Sequence, residues 1–322
     1  MILKRDDIPT NSDLSQNADV LFEALPWIKA ATGRTVVIKY GGAAMVDPEL
    51  RKQVMSDIVL LKLIGVNPVI VHGGGKAINE AFEAYQIPVE FKNGLRVTTD
   101  EAMDVVKMVL VGQVNQDLVR DLNKHGDLAV GLSGNDGGTL VASQLDPELG
   151  RVGEVARVNT ELLNKLIADD YIPVLATVAL GEDGGCYNVN ADVAAGQVAA
   201  ALDAYKTIFL TDVDGMYLDF EDKDSLISKM TRDEAQGLID SGQASSGMIP
   251  KLESCIAAID AGVPRAFIIN GTTPHALLLE LLTDTGVGTM VYGERDSTAG
   301  GKKSLSTLAS KLLVNQASDT LS

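Results

Sequence analysis

Histidine, cysteine and long apolar runs are scarce in this sequence, and each scarcity excludes a class of protein. The three histidines, His72, His125 and His275, are too few and too scattered to predict a zinc site or a catalytic triad. Cys186 and Cys255 lie far apart without metal-ligand spacing, which favours a reduced protein over a disulfide-stabilised secreted one. No apolar run approaches the roughly 18 residues of a membrane span, and the N-terminus lacks the apolar core of a signal peptide. We therefore expect a cytoplasmic protein that binds no membrane.

Basic residues are also scarce relative to acidic ones. The 322-residue chain has 27 Lys and Arg against 44 Asp and Glu, which gives a formal net charge of −17 at pH 7. Such a charge makes nucleic acid and anionic membranes poor partners. With 46% apolar residues, the composition is that of a globular protein with one large domain or two lobes. An acidic protein that binds anions must concentrate its few cations at the binding site.

Helical and strand patterns alternate along most of the chain. Helices are predicted at 11–31, 48–65, 76–85, 100–124, 160–169, 191–203, 232–241, 250–262 and 274–282, and strands at 35–39, 67–71, 128–132, 139–144, 152–158, 172–178, 207–211, 265–270 and 288–292. Several strands are continuously apolar, which suits a parallel sheet covered on both faces. We therefore expect an α/β fold: a three-layer αβα sandwich around an open, mainly parallel sheet, preceded by an extra N-terminal helix.

A glycine-rich turn at 181–185 marks the expected boundary between two lobes. We predict an N-terminal arm helix at 1–33, an N-terminal lobe at 34–180, a C-terminal lobe at 181–294 and a flexible tail at 295–322. Pro26 lies inside the arm helix and predicts a kink there, because proline removes one helical hydrogen bond.

Two apolar strands each end directly in a cluster of glycines. They are Val36-Val37-Ile38-Lys39-Tyr40-Gly41-Gly42 and Val69-Ile70-Val71-His72-Gly73-Gly74-Gly75. Glycines at a strand end leave backbone N–H groups exposed, and with the N-terminus of a following helix they form a cradle for an anion. Neither common nucleotide fingerprint fits, because Ile78 stands where G-x-G-x-x-G needs its third glycine and no P-loop pattern follows a strand. One such loop is also consistent with a tight turn, but two loops and Lys39 favour a site that brings two anions together.

Two lysines and one aspartate are placed to serve such a site. Lys39 ends an apolar strand, where a charge is costly without an anion or carboxylate, although its side chain could also extend to the surface. Lys251 lies in the first turn of the helix that begins near Pro250, where a cation is unfavourable unless an anion binds. Asp192 could hold both lysine heads, or it could simply cap the helix that follows.

Other polar residues lie in segments where ligands often bind. Asn188, Asn190 and Asp192 alternate and would point to one site if the chain is extended, although Asn190 could also serve only as a helix cap. Arg96 could clamp a carboxylate with two hydrogen bonds, or it could be a surface arginine. Asp212 begins the loop after a strand, where open α/β sheets often bind nucleotides.

Seven motifs, in this order, resemble the amino acid kinase family and, within it, the acetylglutamate kinases. They are Ile38-Lys39-Tyr40-Gly41-Gly42, Val71-His72-Gly73-Gly74-Gly75, Gly94-Leu95-Arg96-Val97-Thr98, Gly131-Leu132-Ser133-Gly134, Tyr187-Asn188-Val189-Asn190-Ala191-Asp192, Thr211-Asp212-Val213-Asp214-Gly215 and Gly247-Met248-Ile249-Pro250-Lys251. The match runs from about residue 18 to residue 293. Each motif is weak alone, but the ordered set is specific. The third and fifth motifs separate this resemblance from carbamate, aspartate and nucleoside-monophosphate kinases.

The resemblance implies transfer of the γ-phosphoryl group of MgATP to the side-chain carboxylate of N-acetyl-L-glutamate, which gives N-acetyl-L-glutamyl 5-phosphate in arginine biosynthesis. It implies catalytic roles for Lys39, Lys251, Asp192, Gly42 and Gly74, with Asp192 organising both lysines. Two further sets of residues would bind the substrates: Gly74, Gly75, Arg96, Asn188 and Asn190 bind acetylglutamate, and Asp212, Gly215 and Met248 bind the nucleotide. The Mg²⁺ would be carried by ATP and not by a protein metal site.

Two regions resemble family members that are hexameric and inhibited by arginine. Phe22-Glu23-Ala24-Leu25-Pro26-Trp27-Ile28 resembles the arm that joins three dimers, and Glu280 and Gly286 occupy inhibitor-site positions. The resemblance therefore predicts a homo-hexamer, a trimer of dimers, with L-arginine as inhibitor. Two residues depart from the pattern: Phe267 stands where many sensitive members carry histidine, and Lys76 stands where proline is usual.

Two other functions stay open on the sequence. A sister kinase of the same fold would phosphorylate another carboxylate or carbamate, and a non-catalytic subunit would only sense arginine. Arg96 with Asn188 favours acetylglutamate as the substrate. The joint presence of Lys39, Asp192 and Lys251 favours catalysis.

Overall fold

The structure is a computed structural model that describes residues 11–293 except 46, 93, 220, 246, 284 and 285. Within these residues the helices are α1 (Asn11–Ala31), α2 (Pro48–Leu63), α3 (Gly75–Ala84), α4 (Asp100–Lys107), α5 (Gln116–Asn123), α6 (Glu161–Ala168), α7 (Ala191–Ala201), α8 (Arg232–Asp240), α9 (Ile249–Asp260) and α10 (Ala276–Leu282). The strands are β1 (Thr35–Tyr40), β2 (Asn67–His72), β3 (Phe91–Lys92), β4 (Leu95–Arg96), β5 (Ala129–Ser133), β6 (Leu140–Gln144), β7 (Val152–Val158), β8 (Ile172–Ala176), β9 (Val178–Gly181), β10 (Cys186–Val189), β11 (Lys206–Thr211), β12 (Lys229–Thr231), β13 (Arg265–Asn270) and β14 (Thr289–Tyr292). The predicted tail at 295–322 lies outside the described residues.

The main sheet has eight strands in the order β12-β14-β13-β11-β1-β2-β8-β5. Six of them, from β13 to β5 in this order, run parallel to one another. Strand β14 runs antiparallel to β13, and β12 runs parallel to β14. The sheet is therefore mainly parallel, as the apolar strands predicted.

Alternate residues of β1 face two different hydrophobic cores. Val36 and Ile38 pack with helices α2, α5 and α10 on one side of the sheet. Val37 packs with α7 and α9 on the other side. All three side chains are fully buried. Helices thus cover both faces of the sheet, which confirms the predicted three-layer αβα sandwich.

A small second set of strands was not predicted as a unit. Strands β10, β7, β6 and β9 pair in that order into a closed four-stranded barrel beside the main sheet. Strands β3 and β4 form a separate antiparallel hairpin of two residues each. The barrel closes through the parallel pairings of β10 with β7 and of β6 with β9, which join strands distant in sequence, so local patterns do not reveal how they associate.

The predicted helix at 100–124 contains a π-helical segment. The chain forms α4, then a π stretch at Met108–Asn115, and then α5 without interruption. The π stretch was not predicted, because over two turns its apolar spacing hardly differs from that of an α-helix. Such segments are often found at functional sites.

The N-terminal helix α1 is present, runs through Pro26 as one element, and packs against α10. Several of its apolar side chains are exposed: Val20, Leu21, Phe22 and Leu25 are between 55% and 72% accessible. Among the described residues, no helix combines the length and the apolar character that crossing a bilayer requires.

Candidate active site

Strands β1, β2 and β11 end side by side at one edge of the sheet. Tyr40, the last residue of β1, is in register with His72, the last residue of β2. Lys39 is in register with Phe209 of β11 on the other side. The two glycine loops therefore leave adjacent strands at the edge where open α/β sheets bind ligands. They lie near each other, as the sequence predicted.

Both loops line a cleft of about 1240 Å³. The predicted site residues on its wall are Lys39, Gly42, Gly74, Gly75, Arg96, Asn188, Asn190 and Asp192. Lys76 also lies on this wall, at the start of α3. The predicted residues Lys251, Asp212, Gly215 and Met248 belong to the neighbouring part of the same edge, outside this lining.

Lys39 is held over its own glycine loop by an ion pair. Its ammonium nitrogen lies 3.0 Å from the Asp192 carboxylate, and its side chain is only 15% exposed. A Cβ atom on Gly41 would come within 2.9 Å of that nitrogen, so a larger residue there would displace the lysine head from this position. Asp192 lies in the first turn of α7. The pair places one positive charge between the two loops.

Two glycines of the loops are required by geometry. Gly42 has φ of +70°, a conformation that side chains other than glycine's adopt with strain. A Cβ atom on Gly74 would lie 2.7 Å from Leu110 Cδ2 and 3.2 Å from Val114 Cγ2, both on the π stretch. The π stretch therefore packs directly against the backbone of the second loop.

Arg96 is a buried cation on the wall of the cleft. The residue is 8% exposed and its guanidinium lies over the rings of Phe82 and Phe91, at 5.2 and 4.7 Å from their centres. Its Nη2 donates to the Gly75 carbonyl at 3.4 Å, whereas Nη1 is buried without a hydrogen-bond partner among the described residues. Burial lowers the pKa of Arg96 from its ordinary value. A buried, unpaired guanidinium N–H is costly, and a carboxylate would satisfy it.

Asn188 and Asn190 have different surroundings. The Asn188 amide donates to the Thr98 hydroxyl at 3.4 Å, and that hydroxyl donates to the Arg96 carbonyl at 3.1 Å. Asn190 accepts hydrogen bonds from the backbone N–H groups of Asp192 and Val193. Its side-chain oxygen therefore caps α7, which was the simpler of the two sequence interpretations.

His72 is buried at the end of β2 and is neutral. Burial lowers its pKa to about 4. Asn115 Nδ2 donates to His72 Nε2 at 3.0 Å, so Nδ1 carries the proton and donates to the Gly73 carbonyl at 2.9 Å. With both ring nitrogens engaged, His72 supports the glycine loop.

The residues expected to bind the nucleotide lie around the end of β11. The Lys251 ammonium donates to the Gly247 carbonyl at 3.0 Å and lies 3.9 Å from the Asp212 carboxylate. Asp192 thus pairs with Lys39, and Lys251 lies with Asp212. Gly42 of the first loop lies against the backbone of Asp212, since a Cβ atom on Gly42 would be 3.8 Å from the Asp212 amide nitrogen. The region of Asp212 and Lys251 therefore adjoins the first glycine loop.

Gly215 and Met248 are placed in the packed interior of that region. Gly215 has φ of +154° and lies against Thr289, whose hydroxyl accepts a hydrogen bond from the Met216 amide at 2.8 Å. Met248 is 6% exposed and precedes α9. In this structure both residues shape the loops that carry Asp212 and Lys251.

Glu280 and Gly286, the two residues expected at an inhibitor site, are neighbours. The Glu280 carboxylate accepts hydrogen bonds from the amides of Val287 and Gly288, at 2.8 and 3.3 Å. Gly286 has φ of +57°, and a Cβ there would come 2.9 Å from the carboxylate. Burial raises the pKa of Glu280, while these two N–H donors and the charge of Lys206 act in the opposite direction. Lys206 in turn lies 4.9 Å from the ring centre of Phe267.

Sequence reasoning missed several residues of the cleft. Thr98 links Asn188 to Arg96, and its place in the Gly94–Thr98 motif was a usable signal. Arg51 and Gln113 also line the cleft, from α2 and the π stretch. Nothing in a helical pattern distinguishes these two from other polar helix residues.

The chain is similar to known proteins along most of its length. The sequence profile described as the amino acid kinase family matches residues 34–270. Acetylglutamate kinase from Caldanaerobacter subterraneus subsp. tengcongensis is 52% identical over 279 residues, which is 86% of this chain and 93% of that protein. Acetylglutamate kinase from Nostoc sp. is 51% identical over 86% of this chain and 94% of that protein. The structure of N-acetylglutamate synthase from Neisseria gonorrhoeae, solved with coenzyme A and N-acetyl-glutamate, aligns with a TM-score of 0.75 at 26% identity, over 86% of this chain and 63% of that longer one. The chain belongs to the amino acid kinase family.

Proposed function

We propose that this protein is an acetylglutamate kinase, which transfers the γ-phosphoryl group of MgATP to the side-chain carboxylate of N-acetyl-L-glutamate. The observation that carries the proposal is the Lys39–Asp192 ion pair, set between two glycine loops in one cleft with the buried cation Arg96. Relatives about 50% identical along most of this chain are acetylglutamate kinases, which supports the same activity here.

The acceptor would be held by its second carboxylate. Arg96 lines the cleft and has one buried guanidinium nitrogen without a hydrogen-bond partner among the described residues, and Thr98 links the Asn188 amide to the Arg96 carbonyl. An α-carboxylate bound there would satisfy Arg96 and leave the γ-carboxylate free to reach the glycine loops. The exposed first turn of α3, with Gly75 at its start, adds backbone N–H groups that favour an anion.

The chemical step needs charge neutralisation more than proton transfer. A side-chain carboxylate with a reference pKa of about 4.3 is already ionised at neutral pH, so its oxygen attacks phosphorus without a general base. His72, with a pKa of about 4 and both nitrogens bonded, is not suited to be one. In our proposal Lys39 and Lys251 neutralise the charge on the transferring group, while the amides of Gly42 and Gly74 donate to its oxygens.

The nucleotide would bind at the end of β11, with Asp212, Gly215 and Met248 in the segments that surround it. Asp192 would then act directly on Lys39, and Asp212 would be the acid nearest to Lys251. The described residues contain no group of three or more His, Cys, Asp or Glu side chains suited to a metal ion. We propose that Mg²⁺ enters as part of the MgATP substrate. The cytoplasm, where ATP is available, is the proposed location.

An acceptor panel tests this function. The purified protein is incubated with MgATP and N-acetyl-L-glutamate, L-glutamate, L-aspartate or carbamate, and the acyl phosphate is trapped with hydroxylamine. We expect product with acetylglutamate and little with the others, because the α-ammonium groups of glutamate and aspartate would add a second cation beside the buried Arg96, and carbamate has no second carboxylate to pair with Arg96. Preference for another acceptor would favour the sister-kinase alternative, and no product with any acceptor would favour the non-catalytic one.

We also propose that L-arginine inhibits the enzyme at the Glu280 region. The supporting observation is a partly buried carboxylate beside Gly286, on α10, the helix against which α1 packs. A guanidinium is a natural partner for such a carboxylate. Arginine titration of the kinase reaction is the test, with Glu280→Gln as the variant. Loss of activity with millimolar arginine in the wild type, and not in the variant, is the expected result. No response of the wild type would end this proposal.

A further inference from the structure

We propose that Arg151 is a positioning residue for the acceptor site, which holds the segment of Arg96 and the strand of Asn188 together. The inference rests on the proposed function, since both of these residues belong to the proposed acetylglutamate site. Arg151 itself does not line the cleft. It lies immediately before β7, in the small barrel.

The backbone of Arg151 lies between the two segments that reach the substrate. Its N–H donates to the Thr98 carbonyl at 2.6 Å, and its own carbonyl accepts from the Asn188 N–H at 2.8 Å. The Thr98 N–H donates to the Leu149 carbonyl at 2.9 Å, so Thr98 is bound on both sides. Thr98 is two residues from Arg96 and contacts the Asn188 amide directly.

The side chain of Arg151 also contacts both segments. Nε donates to the Asp100 carboxylate at 2.5 Å, and Nη1 donates to the Asp183 carboxylate at 2.9 Å. The guanidinium also lies 5.5 Å from the ring centre of Tyr187, the residue before Asn188. Asp100 follows Thr98 by two residues and begins α4. One planar group therefore ties the segment of Arg96 to the hairpin that carries Asn188.

The segment of Arg96 needs such an anchor because it has little secondary structure of its own. Strand β4 is two residues long and pairs only with the two residues of β3. A single exposed ion pair would contribute little, and Asp100 and Asp183 are 83% and 50% exposed. Two ion pairs and a ring contact on one rigid guanidinium restrict the segment more than any one of them.

The test compares Arg151→Met with Arg157→Met. Arg157 is exposed on β7, pairs with β6 through its backbone, and lies outside the cleft. Its substitution by methionine removes the same charge without affecting the proposed acceptor site. For Arg151→Met we expect the KM for acetylglutamate to rise by about tenfold, as when two ion pairs and a cation–π contact are lost together. The kcat and the KM for ATP should stay within about twofold, since binding lost equally from ground and transition states raises KM alone. Arg151→Lys should recover part of the affinity, and Arg157→Met should match the wild type.

Other outcomes overturn the inference in distinguishable ways. An unchanged acetylglutamate KM in Arg151→Met, or equal changes in kcat and both KM values, would exclude a positioning role. If Arg151→Met does not fold, the double variant Asp100→Ala/Asp183→Ala removes both ion pairs of the guanidinium, leaves its contact with Tyr187, and must show a selective rise in the KM for acetylglutamate. A wild-type protein that does not phosphorylate acetylglutamate would overturn the proposed function, and this role with it. A normal wild type with an unaffected variant would overturn this role alone.

Discussion

At the scale of single residues, the burial of His72 makes the stability of the fold depend on pH. Its ring is fully buried at the end of β2, where Asn115 and the Gly73 carbonyl engage both nitrogens. Burial lowers its pKa from 6.5 to about 4. Protonation would place an unpaired charge in the core, beside the loop that we assign to the phosphoryl group.

His72 therefore predicts how stability depends on pH. His72 binds a proton near pH 6.5 in the unfolded chain but only near pH 4 in the folded chain. Its contribution to the free energy of unfolding is therefore complete above pH 6.5 and is lost as the pH falls towards 4. The free energy of unfolding should fall by up to about 3 kcal/mol over this range because of His72 alone. Urea unfolding at several pH values should show a weaker pH dependence for His72→Gln than for the wild type. His125→Gln, at an exposed position, should keep the wild-type dependence, and equal slopes for all three proteins would refute the assignment.

The sequence identified residues whose local setting required an explanation and missed those that act through tertiary contacts. Lys39 at the end of an apolar strand needed a counter-charge, and Asp192 supplies it at 3.0 Å. Thr98 bonds to Arg151, about 50 residues further along the chain, and to Asn188, about 90 residues further along. Nothing in their immediate neighbours signals this, because the partners are distant in sequence.

At the scale of elements, the π stretch at Met108–Asn115 sets the shape of the second glycine loop. Leu110 and Val114 pack against Gly74, while Asn115 donates to His72 and to the Val174 carbonyl at 2.8 Å. One stretch of helix thus contacts the loop, the histidine beneath it and strand β8. A periodic apolar pattern predicted the long helix, but it could not predict a change of winding that depends on these partners.

The packing of this stretch predicts different effects for two adjacent glycines. Gly74→Ala should lower the melting temperature and the turnover, because the new Cβ would come 2.7 Å from Leu110 Cδ2, and overpacking typically costs about 1–3 kcal/mol. Gly75→Ala should leave the melting temperature unchanged or slightly higher, since nothing lies within 4 Å of its Cβ position and alanine favours a helix. Calorimetric melting of both variants is the measurement. Equal destabilisation by the two substitutions would contradict the described packing.

At the scale of the whole molecule, most of the sandwich was predictable and the barrel was not. Continuously apolar runs, such as Val69-Ile70-Val71 in β2 and Ile172-Pro173-Val174-Leu175 in β8, indicate burial on both faces, and so a parallel sheet between helix layers. The barrel depends on β10 pairing parallel with β7 and antiparallel with β9. The antiparallel pair is a local hairpin, but the parallel pair joins strands that are far apart in the chain, so no local pattern records it. The predicted division at residues 33, 180 and 294 stays a prediction.

The exposed face of α1 predicts a homo-oligomer. Leu21 and Phe22 are 70% and 72% exposed, and apolar side chains grouped on one helix are typical of protein interfaces. We expect six chains in solution, a trimer of dimers joined through α1, and two chains for Phe22→Glu. Light scattering after size-exclusion chromatography measures this. Glu23→Gln, at an exposed polar position of α1, serves as the control and should keep the wild-type mass. A monomeric wild type, or an unchanged mass for Phe22→Glu, would exclude this assembly.

The most direct test of the proposed catalytic machinery is the turnover of Lys39→Met and Lys251→Met on saturating MgATP and acetylglutamate. If these ammonium groups neutralise the migrating phosphoryl group, each variant should lose about 10²-fold or more in kcat, as for one preorganised charge contact. Acetylglutamate binding, measured by calorimetry, should change far less. Lys165→Met, at an exposed lysine paired with Glu161 outside the cleft, should retain full turnover. Folded Lys39 and Lys251 variants that turn over as fast as the wild type would contradict the account.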